Sequence, residues 1–179
     1  MAAWLEDGLR QKLFATAPQS DDAWIGDLVE IGPNREIVPV RFAGLDFWFL
    51  FLSPHAEAGD DPEFLSQMLE TVDVQGFIPS QDSRLIKFCR ADAEQDHFKP
   101  ADWHLPAAFQ IFQFAEILGD VMQMYIDEAP DVEQFLYLPA SAKLGRLYSR
   151  IFDKLAKQPH FQIAAILPLT GTCHAYQRT

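Results

Sequence analysis

The chain has 179 residues, 49% hydrophobic and 22% charged, which excludes a disordered protein and allows one domain, residues 1–179, to bury a sizeable core. Its formal net charge of −12 is uneven: residues 1–142 hold 25 Asp and Glu against 8 Lys and Arg, whereas residues 143–179 hold 6 Lys and Arg against Asp153 alone. Such an acidic body repels phosphates, so we expect no nucleic-acid binding except through a basic helix in the C-terminal segment.

The first part of the chain predicts a helix followed by an antiparallel meander. Apolar residues over 3–14 recur at the spacing of a short amphipathic helix. Three strand patterns follow at 24–31, 36–42 and 47–52, separated by turn residues. The strand at 47–52 is apolar on both faces and is expected at the centre of the sheet. Pro39 cannot donate a ladder hydrogen bond, which places the strand at 36–42 at an edge.

The middle of the chain predicts two helices around one strand. Residues 60–62, Asp-Asp-Pro, have the composition of a helix start, and the alternation over 84–90 predicts a half-buried strand. A long helix should cover residues 106–128 with one narrow polar stripe. The stripe consists of Gln113, Glu116, Asp120, Gln123 and Asp127. We expect Phe112 to lie opposite this stripe, in the core.

The last part predicts a strand at 135–138, a helix at 142–157 and a strand at 161–167, with a further short strand within 171–179. A strand, a helix and a strand in succession favour a C-terminal β-α-β unit. Together with the meander, this order predicts an α+β fold, in which helices pack on a mostly antiparallel sheet.

Neither export nor membrane insertion is expected. Residues 1–8 lack the basic and apolar regions of a secretory signal, and the longest apolar run, 47–52, is far shorter than the about 20 residues that span a bilayer. Cys89 and Cys173 lie far apart and outside any C-x-x-C motif, which favours two reduced thiols. We therefore expect a cytoplasmic protein.

Common catalytic and cofactor motifs are absent from the sequence, including nucleophile elbows, phosphate-binding loops, dinucleotide turns and zinc-binding helices. The titratable residues that do cluster are His97 with His104; Asp60 with Asp61; Asp127 with Glu128 and Asp131; and Cys173 with His174. The histidine loop imposes no ligand geometry, the acidic groups fit helix ends, and neighbours on a strand point to opposite faces. We therefore expect no catalytic residue, no metal site and no cofactor.

The final predicted helix carries five basic residues spaced by three or four positions, which we call the basic ridge. They are Lys143, Arg146, Arg150, Lys154 and Lys157. This spacing places all five on one face of the helix. Two interpretations remain open: the charges pair with the acidic body of the same chain, or the ridge binds an anion or a partner.

Around Leu136 to Tyr148, a predicted strand leads into a helix that carries a tyrosine, and a further strand follows. This succession resembles the C-terminal part of GNAT-type acyltransferases. The resemblance covers about a quarter of the chain. It implies an enzyme that binds a polyanionic cofactor. The glycine-rich turn that holds the coenzyme A pyrophosphate in that family is missing, so no site residue is transferred.

These observations support two functional hypotheses. The first is a non-catalytic acidic protein-binding module, an inhibitor, immunity-type or chaperone-type adaptor, that engages a basic protein partner. The alternative is an acyltransferase-like (GNAT-type) or other phosphate-handling enzyme, in which the basic ridge holds a polyanionic cofactor. A contiguous electronegative face favours the first, whereas a cleft with the ridge at its mouth favours the second.

Overall fold

A computed structural model of the chain describes residues 7–20, 22–55, 61, 63, 66, 79–92, 110–137, 142–157, 163–166 and 174–178. Helix α1 spans Asp7–Leu13, α2 spans Gln110–Glu128 and α3 spans Ala142–Leu155. The strands are β1 (Trp24–Ile25), β2 (Val29–Gly32), β3 (Arg35–Phe42), β4 (Leu45–Leu52), β5 (Ser83–Arg90), β6 (Gln134–Tyr137), β7 (Ile163–Ile166) and β8 (His174–Arg178).

The strands form one sheet in the order β1-β3-β4-β5-β6-β8-β7, and β2 also pairs with β3. The pairs are antiparallel except for β5 and β6, which are parallel and joined by a crossover that contains α2. The predicted α+β class, with a mostly antiparallel sheet and helices packed on it, is therefore confirmed. The predicted meander of three strands is confirmed as well, since β2, β3 and β4 are successive antiparallel neighbours.

The predicted C-terminal β-α-β unit is not confirmed. Strands β6 and β7 flank α3 in sequence and run in the same direction, but each pairs with β8 instead of with the other. The tail of the chain returns between them, which satisfies the ladder hydrogen bonds of both strands from a single antiparallel neighbour.

The prediction that Pro39 marks an edge strand is wrong, because β3 pairs with β4 on one side and with β1 and β2 on the other. The amide of Gly26 donates to the Pro39 carbonyl at 2.9 Å. The backbone nitrogen and carbonyl of a strand residue point to the same neighbouring strand. The Pro39 nitrogen, which carries no hydrogen, therefore points toward the gap between β1 and β2, where no ladder hydrogen bond is needed from it. The predicted strand at 24–31 is thereby divided in two.

Strand β4 lies at the centre of the sheet and is buried on both faces, as the sequence predicts. Residues 47–52 are each at most 1% exposed. Phe47, Phe49 and Phe51 belong to the larger core, beneath α2 and α3. Trp48, Leu50 and Leu52 belong to a smaller core on the other face, with Phe14 and Ala17 from the end of α1 and the segment that follows it.

Both long helices pack on the larger core. The Tyr125 ring of α2 stacks on Phe51 of β4 with their centroids 3.7 Å apart, and Phe114 lies 4.9 Å from Phe47. Helix α3 contributes Phe152, which is 1% exposed, to the same core. Helices α2 and α3 therefore lie on the same side of the sheet.

The predicted polar stripe of α2 is confirmed, whereas the predicted burial of Phe112 is wrong. The side chains exposed along the stripe are Gln113, Glu116, Asp120 and Asp127. Phe112 is 72% exposed. At about 100° per residue, Phe112 projects about 20° from Gln123 but about 160° from the buried Phe114. Its position around the helix axis therefore places it beside the stripe and away from the core.

Candidate interaction surface

Helix α2 presents four carboxylates to solvent: Glu116, Asp120, Asp127 and Glu128. The first three, which we call the acidic face, share one side of the helix, whereas Glu128 lies about 100° around the axis from Asp127. The opposite side of α2 is apolar and packs on the sheet through residues such as Val121 and Tyr125, both 0% exposed. This packing fixes the rotation of the helix about its axis. At about 100° per residue the three carboxylates fall within an arc of about 40°, so they form a single row along the helix.

Phe112 lies at the beginning of this row. It precedes Glu116 by one helical turn, about 6 Å along the axis. Among the described residues, it is the one large hydrophobic side chain that is exposed. An exposed Phe by itself is ordinary on a protein surface. Its place beside a row of carboxylates gives the acidic face an aromatic group that could be buried against a partner.

The charges of the acidic face are not compensated by neighbouring basic side chains. The sequence has no Lys or Arg between residues 100 and 142. Within the described part of the chain, no basic side chain forms an ion pair with Glu116, Asp120 or Asp127. Partial burial and the neighbouring Glu116 carboxylate both raise the pKa of Asp120. The repulsion along α2 is therefore available to be relieved by a cation from outside.

The basic ridge lies on and just beyond α3. Arg146 and Arg150 are exposed on the helix, and Lys157 is exposed in the turn that follows it. Lys143 and Lys154 belong to α3, but their side chains are outside the described residues. Among the residues that the structure describes, no carboxylate forms an ion pair with Arg146, Arg150 or Lys157. These three cations therefore project into solvent, and the exposed Asp153 lies near Arg150 and Lys157 in the sequence without an ion pair to either in the described residues.

Helices α2 and α3 are neighbours that run in roughly the same direction. Helix α2 connects β5 to the parallel strand β6, and α3 connects β6 to β7, which has the same direction because both pair antiparallel with β8. The helix of such a crossover returns along the sheet, opposite to its strands. The acidic face and the basic ridge consequently lie on one layer of the molecule.

Two partly buried ion-pair clusters join distant segments of the fold. Asp46, 8% exposed, accepts from Arg41 at 2.8 Å and from Arg10 of α1 at 3.1 Å, which fastens α1 to the sheet. On the other side of the sheet, Glu36 accepts from Arg84 at 3.2 Å and from the Tyr125 hydroxyl at 3.3 Å. Burial raises the pKa of Tyr125, which keeps its hydroxyl protonated as a donor.

The remaining titratable groups from the sequence give no assembled site in the described residues. Asp61 accepts a hydrogen bond from the Glu63 amide at 3.0 Å, as a helix cap does. The loop containing His97 and His104, most of the predicted helix after residue 62, and Cys173 lie outside the described residues. Burial raises the pKa of Cys89 to about 12, so its thiol stays protonated at neutral pH.

The described residues hold no group of three or more His, Cys, Asp or Glu side chains that could bind a metal ion. None of their helices is long and apolar enough to cross a membrane.

The spacing of the basic residues predicted the basic ridge as the candidate site, whereas the acidic stripe of α2 was expected only to be a solvated side of the helix. The lack of any Lys or Arg over residues 100–142 was the signal that no basic residue nearby in the sequence compensates this stripe. The exposure of Phe112 could also be read from its angle about the helix axis. Neither signal shows which neighbouring helix shares the surface, because that depends on the strand order.

Comparisons with known proteins supply no relative from which a function can be transferred. No family model matches the chain. No curated protein and no solved structure matches it.

Proposed function

We propose that the chain is a non-catalytic acidic protein-binding module, an inhibitor, immunity-type or chaperone-type adaptor, whose acidic face engages a basic protein partner. One observation carries this proposal: Glu116, Asp120 and Asp127 are exposed in one row, and no described basic side chain pairs with them. The proposal places the module in the cytoplasm, in keeping with the free, buried thiol of Cys89.

Charge and aromatic surface have different roles in such an interface. The formal charge of −12 attracts a basic partner over a distance and raises the association rate. The carboxylates of the acidic face then select the orientation of the partner. Phe112, exposed beside them, supplies apolar area whose burial slows dissociation.

A capture experiment with matched variants tests the proposal. The triple variant Glu116→Gln, Asp120→Asn and Asp127→Asn neutralises the acidic face. The control Asp22→Asn, Asp27→Asn and Glu30→Gln removes the same three charges from exposed positions near β1 and β2. We expect the parent and the control to retain one basic protein from the native host, and the α2 variant to lose it.

Kinetics with that captured protein add a second criterion. The association rate should fall steeply as salt rises, because ions screen long-range attraction. Equal capture by the two triple variants, or a rate independent of salt between low and physiological ionic strength, would remove the acidic face from the interaction.

The second candidate function is the acyltransferase-like (GNAT-type) or other phosphate-handling enzyme, and the solvent-exposed Arg146, Arg150 and Lys157 are the observation that supports it. Guanidinium groups bind phosphates with charge-assisted hydrogen bonds. A thermal-shift assay with coenzyme A, nucleotides and short nucleic acids tests this candidate. A ligand at one hundred times its dissociation constant stabilises the fold by about 2.7 kcal/mol. The shift should disappear in Arg146→Glu/Arg150→Glu, and no shift with any ligand would eliminate the candidate.

A further inference from the structure

The acidic face and the basic ridge have the same residue spacing. Glu116, Asp120 and Asp127 are separated by four and then seven positions. Arg146, Arg150 and Lys157 are likewise separated by four and then seven positions. The acidic set therefore extends about 16 Å along α2. Arg146 and Arg150 are about 6 Å apart along α3, and Lys157 follows in the turn after the helix. Two surfaces of opposite charge and equal spacing are complementary when their helices lie side by side in the same direction.

A parallel alignment brings every charge of one set opposite a charge of the other. An offset of thirty residues aligns Glu116 with Arg146, Asp120 with Arg150 and Asp127 with Lys157. The partly exposed Gln123 is then aligned with the exposed Asp153, which puts an amide opposite a carboxylate. No like charges meet at these four aligned positions. The alignment therefore also avoids a like-charge contact at this intervening position.

In the part of the chain that the structure describes, the acidic face and the basic ridge of one molecule are not joined by ion pairs. The acidic face points away from the sheet, opposite the apolar side of α2. The described members of the ridge are exposed, and no ion pair joins them to the acidic face within the described residues. A second copy of the chain offers the same exposed basic side chains to the acidic face.

The parallel course of α2 and α3 allows two copies to satisfy both surfaces at once. A two-fold axis parallel to the helices keeps their direction and exchanges their positions. It sets α2 of one copy against α3 of the other, and the reverse contact forms by symmetry. Such an arrangement closes after two copies and leaves neither charged surface uncovered.

We propose that the acidic face binds the basic ridge of a second copy of this chain, in a two-fold symmetric dimer with α2 and α3 parallel across the interface. This inference rests on the proposed function, because it uses the acidic face as the binding surface. It assigns that face to the basic ridge of a second copy, with which a basic host protein would compete. Phe112 lies at one end of each α2–α3 contact and loses solvent there. The formal charge of −12 on each copy opposes association over long distances. Salt at about 0.15 M, with a Debye length of about 8 Å, screens that repulsion more than it screens the contacting pairs.

Charge-swapped variants test the dimer. Glu116→Arg/Asp120→Arg makes the acidic face basic, and Arg146→Glu/Arg150→Glu makes the ridge acidic. The control Asp27→Arg/Glu30→Arg reverses two exposed charges near β2. Sedimentation velocity at about 0.15 M salt should show a concentration-dependent dimer for the parent and the control, and a monomer for each of the other two variants.

Mixing the two monomeric variants is the decisive step. In the mixture, a basic α2 of one variant faces an acidic α3 of the other, and both contacts of the symmetric interface become favourable. We expect the equimolar mixture to form a dimer. Helical circular dichroism and the melting temperature of each variant report whether it is folded. If a reversed variant does not fold, the milder pair Glu116→Gln/Asp120→Asn should raise the dimer dissociation constant about tenfold or more.

Three results overturn the inference: a parent that stays monomeric across the concentration series, reversed variants that dimerise like the parent, or folded variants whose mixture remains monomeric. If the milder variant Glu116→Gln/Asp120→Asn is used, an unchanged dimer dissociation constant would likewise overturn the inference. A monomeric parent that still captures a basic host protein through its acidic face would refute only the dimer. Capture that is unaffected by the neutralising triple variant would refute the proposed function.

Discussion

Phe112 and Phe114 offer a matched test of how α2 is rotated on the sheet. They have the same side chain and lie two positions apart, but Phe112 is 72% exposed and Phe114 is 5% exposed. The Phe114 ring contacts four others, at centroid distances of 4.9 to 6.1 Å, from Phe42, Phe47, Phe49 and Phe88. Truncating each phenylalanine to alanine should therefore have very different consequences.

The expected magnitudes follow from burial. Phe114→Ala removes a buried aromatic and leaves a cavity, which lowers the free energy of unfolding by about 3–5 kcal/mol. For a chain of this size that corresponds to a fall in melting temperature of about 6–20 °C. Fully burying a Phe side chain contributes about 1.5–3 kcal/mol. Scaled to the small buried part of Phe112, the loss in Phe112→Ala is below about 1 kcal/mol.

Urea denaturation and thermal melting, both followed by circular dichroism, measure these differences. The dependence of the unfolding free energy on urea should be equal in the two variants, so that the midpoints report stability. Phe112→Ala should in addition weaken self-association, which a purely structural residue at that position would not do. If Phe112→Ala melted as low as Phe114→Ala, or if Phe114→Ala melted with the parent, the rotation of α2 inferred from the packing would be refuted.

Three further predictions concern single positions. Gly26→Ala should lower the unfolding free energy by about 1–3 kcal/mol, because an added Cβ would lie 2.7 Å from Cγ of Pro39; a denaturation midpoint equal to that of the parent would contradict this. Arg178→Ala should cost about 2 kcal/mol, since its guanidinium donates to three carbonyls at and beyond the end of α2. An unchanged melting temperature would show that this contact does not hold the helix end. The third prediction follows from the pKa of Asp120, which partial burial and Glu116 raise above the ordinary value of 3.8. The contribution of Asp120 to the free energy of unfolding is therefore most favourable below pH 3.8, and it is lost as the pH rises through the raised pKa. Asp120→Asn should raise the melting temperature at neutral pH but not at pH 3. An equal effect at both pH values would contradict the electrostatic explanation.

Local patterns determined much of the sheet and of the long helix. The run 47–52 is apolar on both faces, and it lies at the centre with both faces covered because no other place in a sheet buries two apolar sides. The polar side chains of α2 recur with the helical period, and they line its exposed side because the apolar side is buried against the sheet. The rotation that exposes Phe112 is also contained in the sequence, since the angle between Phe112 and Phe114 follows from the helical repeat alone.

Other features depended on contacts between distant segments. Pro39 lacks a donor, but its strand keeps a neighbour on both sides because β1 and β2 separate opposite it. Strand β8 enters between β6 and β7, and no local pattern in 174–178 distinguishes that position from an edge. The basic residues of α3 are visible in the sequence at their helical spacing. Their position beside the acidic face, on a helix of the same direction, follows only from the strand order. Pairing between strands remote in sequence determines where each crossover helix lies.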